Sequence, residues 1–263
     1  MLLIHKITLY SHIFIGFISL ILFWVPVFAK KGSPLHNRVG GWFVNAIWVV
    51  SISGIIMSLI VWWDPLAIRL PVEFVEPGRA AKIINSQRTS SEFLLMLSLL
   101  VLVSVKQAML VLKVRTDRSR LRKWHHLMWI FALILLAMVI GTKGFIQGHI
   151  LLMIFGPIGL SAGLGALKYI YKSELKSREW ILEHFSNIIG CGIGVYTAFF
   201  AFGGRAFMQE LLPGALQVIP WIVPGIAGTL AIVLYKPKYT KLYRVKKSES
   251  KYSAQETLET TTQ

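Results

Sequence analysis

Six histidines carry most of the chemistry this sequence offers, and they fall at two levels of a membrane-sized structure. His12 lies about five residues inside the first long apolar stretch, and His149 about four residues inside the fifth. At 1.5 Å per residue both sit roughly 6–8 Å below the same boundary. His184 lies roughly 6 Å inside the sixth stretch from the other side, with His36, His125 and His126 at that boundary. Across a core of about 30 Å the two levels stand about 15 Å apart. A b-type haem takes its axial ligands from neighbouring helices at one depth, and imidazole is the usual donor. His12 with His149 makes an outer pair of this kind. His36 makes an inner one with His184, or with His125 or His126. Two such levels would pass electrons across a bilayer without moving protein charge.

Gly16 and Gly40 follow His12 and His36 by four residues, on the same helix face, where a flat macrocycle could approach. A blander reading stands beside this one. Histidine at a helix end reaches headgroup water cheaply, and glycines spaced by four serve ordinary helix packing. Gly159–Gly163 and Gly190–Gly194 show that spacing with no histidine to match.

The elements that must hold these residues follow from composition. The chain has 263 residues, 55% hydrophobic and only 15% charged, with a mean hydropathy of +0.61. Soluble domains carry roughly 25% charged residues, so a water-soluble fold is excluded. Cys191 is the single cysteine, and no intrachain disulfide can form. A helix crossing the bilayer needs roughly 20 mostly apolar residues. Seven stretches qualify, over 7–29, 41–62, 93–112, 126–142, 145–167, 180–203 and 218–235. The expected fold is therefore all-α, a polytopic membrane bundle of about seven transmembrane helices over residues 1–245. The fourth stretch is short, and a tight turn is expected at Gly141-Thr142-Lys143-Gly144. The first is too long for a signal-peptide core and reads as a retained helix. The similar layout of span, basic run and histidine suggests three related hairpins followed by a seventh helix.

Twenty of the 28 Lys and Arg residues fall in alternate connections and the tail: 30–38, 113–123, 168–178 and 236–251. The positive-inside rule makes that face cytoplasmic, with the N-terminus outside and the C-terminus inside. Trp24, Trp42, Trp124 and Trp180 near one set of ends, and Trp62, Trp63 and Trp221 near the other, fit the aromatic belts. The net charge of +16 is thereby explained by topology and contact with anionic inner-leaflet lipids, and nucleic acid is not an expected partner. The connection 63–91 holds Pro65, Pro71, Pro77 and Gly78, reads as a plain connector, and leaves room for a short interfacial helix near Ala80–Ile84. The polar stretch 246–263 reads as a disordered cytoplasmic tail.

No carboxylate lies deep in a stretch, which argues against carboxylate-coupled transport, and Walker A, HExxH and GxSxG signatures are missing. Lys106, beside Gln107, lies within snorkelling reach of the inner end. Asn187, Cys191 and Thr197 read as packing positions.

His12-x3-Gly16, Phe23-Trp24-x-Pro26 and Lys30-Lys31-Gly32-x3-His36-x3-Gly40, with His184 and Tyr196-Thr197-Ala198-Phe199 further on, resemble an uncharacterised bacterial family of multi-pass membrane proteins. The likeness runs from about Leu9 to Phe202. By analogy of histidines at two depths, such families loosely resemble di-haem transmembrane cytochromes b. The resemblance implies a bacterial inner-membrane protein. Together with the histidines it points to a haem-b-binding electron-transfer protein with a redox partner. The alternatives are a non-redox transporter, a small-ligand-binding membrane protein, or an accessory protein acting through helix contacts. Oligomeric state and any catalytic residue stay open.

Overall fold

The computed structural model describes residues 2–69, 77–212 and 214–245. The expected tail, 246–263, and residues 70–76 of the long connection lie outside them. The described residues are almost entirely helical, with no strand among them. The helices are α1 (Leu2–Phe28), α2 (Pro34–Trp63), α3 (Pro65–Arg69), α4 (Pro77–Val114), α5 (Trp124–Gln147), α6 (Ile150–Tyr171), α7 (Glu179–Ala198), α8 (Arg205–Leu211) and α9 (Ile219–Leu242). A π turn, Phe199–Gly203, extends α7. Apart from the short α3 and α8, these helices, seven in number, are long and apolar enough to cross a membrane, as expected from the sequence. They mark the chain as a multi-pass integral membrane protein.

α4 is the hub. Most of its residues from Phe93 to Val114 are buried or half-buried, including the consecutive buried run Leu99 to Val105. A helix apolar all round is stable in that position only when other helices surround it. α2 and α7 pack along α4, α5 and α6 flank it, α1 lies against α2, and α9 lies against α7. The outermost helices turn large apolar side chains outward, such as Ile13, Phe14, Phe17 and Ile21 on α1 and Ile226, Leu230 and Val233 on α9. Those are the faces a lipid solvent would cover.

The structure departs from the sequence reading in three places. First, α4 begins at Pro77, so the second half of the long connection is helix. At 38 residues it is about 57 Å long by the 1.5 Å rise, well beyond a hydrocarbon core. Second, Gly141–Gly144 is not a turn. α5 continues to Gln147, and the chain reverses at Gly148, whose positive φ of 64° suits glycine and whose N–H caps the Gly144 carbonyl. Third, the helices do not sort into three hairpins. α6 packs on α5 and α4, whereas α7 packs on α4 and α9.

Gly141 and Gly144 do different work from that of a turn. A Cβ on Gly156 of α6 would stand 2.5 Å from Gly141 Cα and 2.9 Å from its N. One on Gly144 would stand 2.6 Å from Met153 N. The two backbones touch, as small residues allow in lipid, where close packing replaces the hydrophobic effect as the force between helices. Gly159 and Gly163 continue the seam against Met96, Ala137 and Ile134.

The ends of the bundle are finished by side chains. At the end rich in Lys and Arg, hereafter the basic end, Arg118 reaches the carbonyls of Tyr169, Ile170 and Lys172 that close α6. A cation belongs at a helix C-terminus, beside unpaired carbonyls. Asp117 accepts from the Ser119 hydroxyl at 2.6 Å and the Ser119 N–H at 3.1 Å, which holds its carboxyl below the usual carboxylate range. At the opposite end Lys143 pairs with Glu92, and Trp62 Nε1 donates to the same carboxylate at 3.1 Å.

Candidate functional site

α1 ends at Phe28, and its last carbonyls have no helical partner. Lys31 folds back onto two of them, with Nζ 2.8 Å from Pro26 O and 2.6 Å from Val27 O. Burial in that position holds the Lys31 ammonium below its ordinary pKa. Ser33 then caps α2, its Oγ accepting from His36 N at 3.2 Å. This places His36 in the first turn of α2 with Nδ1 3.0 Å from Pro26 O. A carbonyl oxygen only accepts, so Nδ1 carries the proton and Nε2 keeps its lone pair.

His184 repeats this arrangement from another helix. It lies in the second turn of α7 with Nδ1 3.0 Å from Ala108 O of α4, and by the same argument its Nε2 also bears the lone pair. Neither Nε2 has a hydrogen-bond partner among the described residues. What brings α1 and α2 to α7 is an aromatic tie. Trp24 Nε1 donates to the Tyr196 hydroxyl at 2.6 Å, and that hydroxyl donates to Leu20 O at 2.8 Å. Phe23 packs edge-on to Tyr196 and lies over Gly192, where a Cβ would come within 2.6 Å of the ring. Phe23, Trp24 and Tyr196 thus set the distance between α1 and α7.

The other four histidines separate. His12, on α1, has Nδ1 2.8 Å from Ser53 Oγ on α2. The Ser53 hydroxyl proton is directed to Val49 O at 2.7 Å, so Nδ1 is the donor to Oγ and Nε2 is again bare. His149 is the exposed N-cap residue of α6, without a side-chain cap bond. Its neighbours are Thr89, Ser90, Gln147 and Arg205 around clefts at that end, and no described contact joins it to His12. His125 is exposed beside Trp124, and its carbonyl accepts from Lys106 Nζ at 2.8 Å, so Lys106 does reach toward the basic end. Gly16 and Gly40 face protein, with Val50 Cγ2 and Pro26 Cβ 3.9 and 3.8 Å from where a Cβ would stand. The space beside them is used by the α1–α2 contact.

His126 belongs to a network that the sequence reading missed. It is 0% exposed, with Nε2 2.8 Å from Gln107 Oε1. Gln107 Nε2 donates to Glu183 Oε1 at 3.3 Å, and Asn187 Nδ2 donates to the same oxygen at 3.0 Å. Glu183, half-buried on α7, is thereby tied to α4 and, through Gln107, to His126 of α5. The signal available in the sequence was the Glu183–Asn187 spacing of four on one helix face. The buried atoms His126 Nδ1, Tyr169 OH and Ser186 Oγ have no hydrogen-bond partner. With Nε2 committed to Gln107, His126 differs from His36 and His184 in which nitrogen is bare and in being sealed. Gln107→Leu leaves His126 Nε2 unpaired and removes one of the two donors to Glu183 Oε1. The expected loss is about 1–2 kcal/mol in unfolding from detergent with SDS; an unchanged midpoint would mean that the network contributes nothing to stability.

Among the described residues no group of three or more His, Cys, Asp or Glu side chains is placed to hold a bare metal ion. The composition and the seven spans define a class: an all-helical, multi-pass membrane protein. Compared with protein-family models, curated proteins and solved structures, the chain matches none.

Proposed function

We propose that this is a redox membrane protein holding a b-type haem at its basic end, with His36 and His184 as the axial imidazoles. The observation that carries the reading is the matched state of the two rings. Each donates Nδ1–H to a backbone carbonyl, on α1 and α4 respectively, and each keeps an unpartnered Nε2. A ligating histidine is usually held in this way, because the second hydrogen bond fixes the tautomer and ring orientation and raises the basicity of the ligating nitrogen. Two imidazoles are the complement that a six-coordinate haem requires. The haem would supply a one-electron couple, and the chain's part is to orient two nitrogens and surround them with helices. Lys30 and Arg38, both exposed near His36 in the chain, provide positive charge for carboxylates such as propionates.

The basic end would face the cytoplasm of a bacterial plasma membrane, following the positive-inside rule and the family resemblance. The outer pair is not carried into this proposal: His12 has the suitable tautomer, but His149 shares no contact with it. A second reading, a non-redox transporter, draws on Glu183, since a carboxylate inside a bundle is a common place for a coupling proton.

The two readings differ in colour. The full chain, purified in mild detergent after expression with ample haem, is expected to show a Soret band that sharpens on adding dithionite, together with α and β bands. A featureless visible spectrum from folded protein would overturn the redox reading and leave the transporter.

A further inference from the structure

At the opposite end of the bundle a cavity of about 220 Å³ opens between α4, α6, α8 and α9. Its inner wall is aromatic. Phe93, Phe202 and Trp221 pack on one another with ring centroids 5.2–5.9 Å apart. Phe202 belongs to the π turn that ends α7, whose wide ring closes with Gly204 N donating to Phe199 O at 2.6 Å. A π turn inserts one residue into a helix and is tolerated mainly where the altered side-chain direction is used. Here Phe200, Ala201 and Phe202 all line the cavity, and the chain then enters α8 with Arg205 at its mouth.

The rim is polar and carries positive charge. Thr89, Ser90, His149 and Arg205 border the cavity. The first three also border a second, shallower cleft of about 580 Å³ that adds Lys82 and Asn85. Among the described residues no Asp or Glu lines either space. This end of the bundle is poor in Lys and Arg, and two of its other cations are already engaged. Lys143 pairs with Glu92, and Arg88 lies 5.7 Å over the Trp62 ring while donating to Trp62 O. Arg205 and Lys82 make no ion pair among the described residues. An arginine lining the same cavity as an aromatic cluster combines the two halves of an amphiphile site, an anion receptor and an apolar slot.

We infer that this cleft binds the oxyanion head of an acyl amphiphile, with Arg205 at the head and the first methylenes against Phe93, Phe202 and Trp221. At about 30 Å³ per water-sized volume the cavity takes a head and a short length of chain, and the rest of the tail stays in the bilayer. A fatty-acid carboxylate and an anionic phospholipid phosphate share this chemistry. The inference stands independently of the haem, since it uses the other end of the molecule.

Trp221 provides the readout. The full chain in neutral detergent is titrated with dibromostearate, dibrominated phosphatidylglycerol or dibrominated phosphatidylcholine, and the quenching that disappears in Trp221→Phe is assigned to Trp221. One of the anionic probes is expected to quench Trp221 saturably, which identifies carboxylate or phosphate as the head. Arg205→Gln, an exposed position, should weaken that binding about tenfold, the scale of one charge-assisted hydrogen bond. Added salt should weaken binding to the unaltered protein in the same direction. Equal quenching by phosphatidylcholine, no Trp221 quenching by either anionic probe, or affinity indifferent to both Arg205→Gln and salt would overturn the inference.

Discussion

Gly156→Ala is expected to destabilise the protein by about 2–3 kcal/mol, the upper part of the range for overpacking a tight core. The added Cβ would meet Gly141 Cα at 2.5 Å, Gly141 N at 2.9 Å and Ala137 O at 3.1 Å. All three are backbone atoms, so no side chain can swing aside, and α5 and α6 must separate along the seam. Gly165→Ala, on the same helix, is the internal reference. It is exposed with open space where a Cβ would stand, and alanine is the better helix former by about 1 kcal/mol. SDS unfolding of the two variants should therefore shift in opposite directions, or leave Gly165→Ala unchanged. Equal, small shifts would mean that the close approach of α5 and α6 is not a source of stability.

The second large effect concerns the two histidines. His36→Ala and His184→Ala should each lower haem occupancy of the purified protein by more than about tenfold, since even partners that only orient a ligand are worth 10–100-fold in metal affinity. His125→Ala and His149→Ala, both at exposed positions, should retain full absorbance. A folding defect is separated from ligand loss with His184→Gly, in which imidazole added to the buffer should restore the spectrum. Retention of haem in both His36→Ala and His184→Ala would move the ligands elsewhere. His12, whose Nε2 is also bare, would then be the first residue to test.

The seven spans were legible because length and hydropathy alone decide them. The boundaries that depended on other rules were not. Residues 77–90 contain Arg79, Lys82, Asn85, Gln87 and Arg88, so a hydropathy reading stops at Phe93 while the helix continues. Gly141 and Gly144 look like turn residues to rules drawn from water-soluble chains. In a membrane bundle small residues instead mark where helices touch, and the true turn needed only Gly148 and its positive φ.

The histidines themselves were legible, and His36 with His184 was among the inner pairs the sequence offered; the helices that become neighbours were not legible. Sequence order favours adjacent hairpins. The structure wraps α2 and α7 around α4, and His149 caps α6 with no described contact to His12. Glu183 escaped notice because it stands within two turns of a helix start, where a carboxylate is ordinary. Only the packing of Gln107 and Asn187 against it makes it an interior group. The π turn at Phe199–Gly203 left no mark in the sequence pattern beyond a run of aromatics.

The most direct test of the central claim is the low-temperature electron paramagnetic resonance spectrum of the oxidised, purified protein. Ligation by His36 and His184 predicts a low-spin ferric signal in the unaltered chain, replaced by a high-spin signal or none when either residue becomes alanine. A high-spin signal in the unaltered protein, or a low-spin signal that persists in both variants, would contradict it.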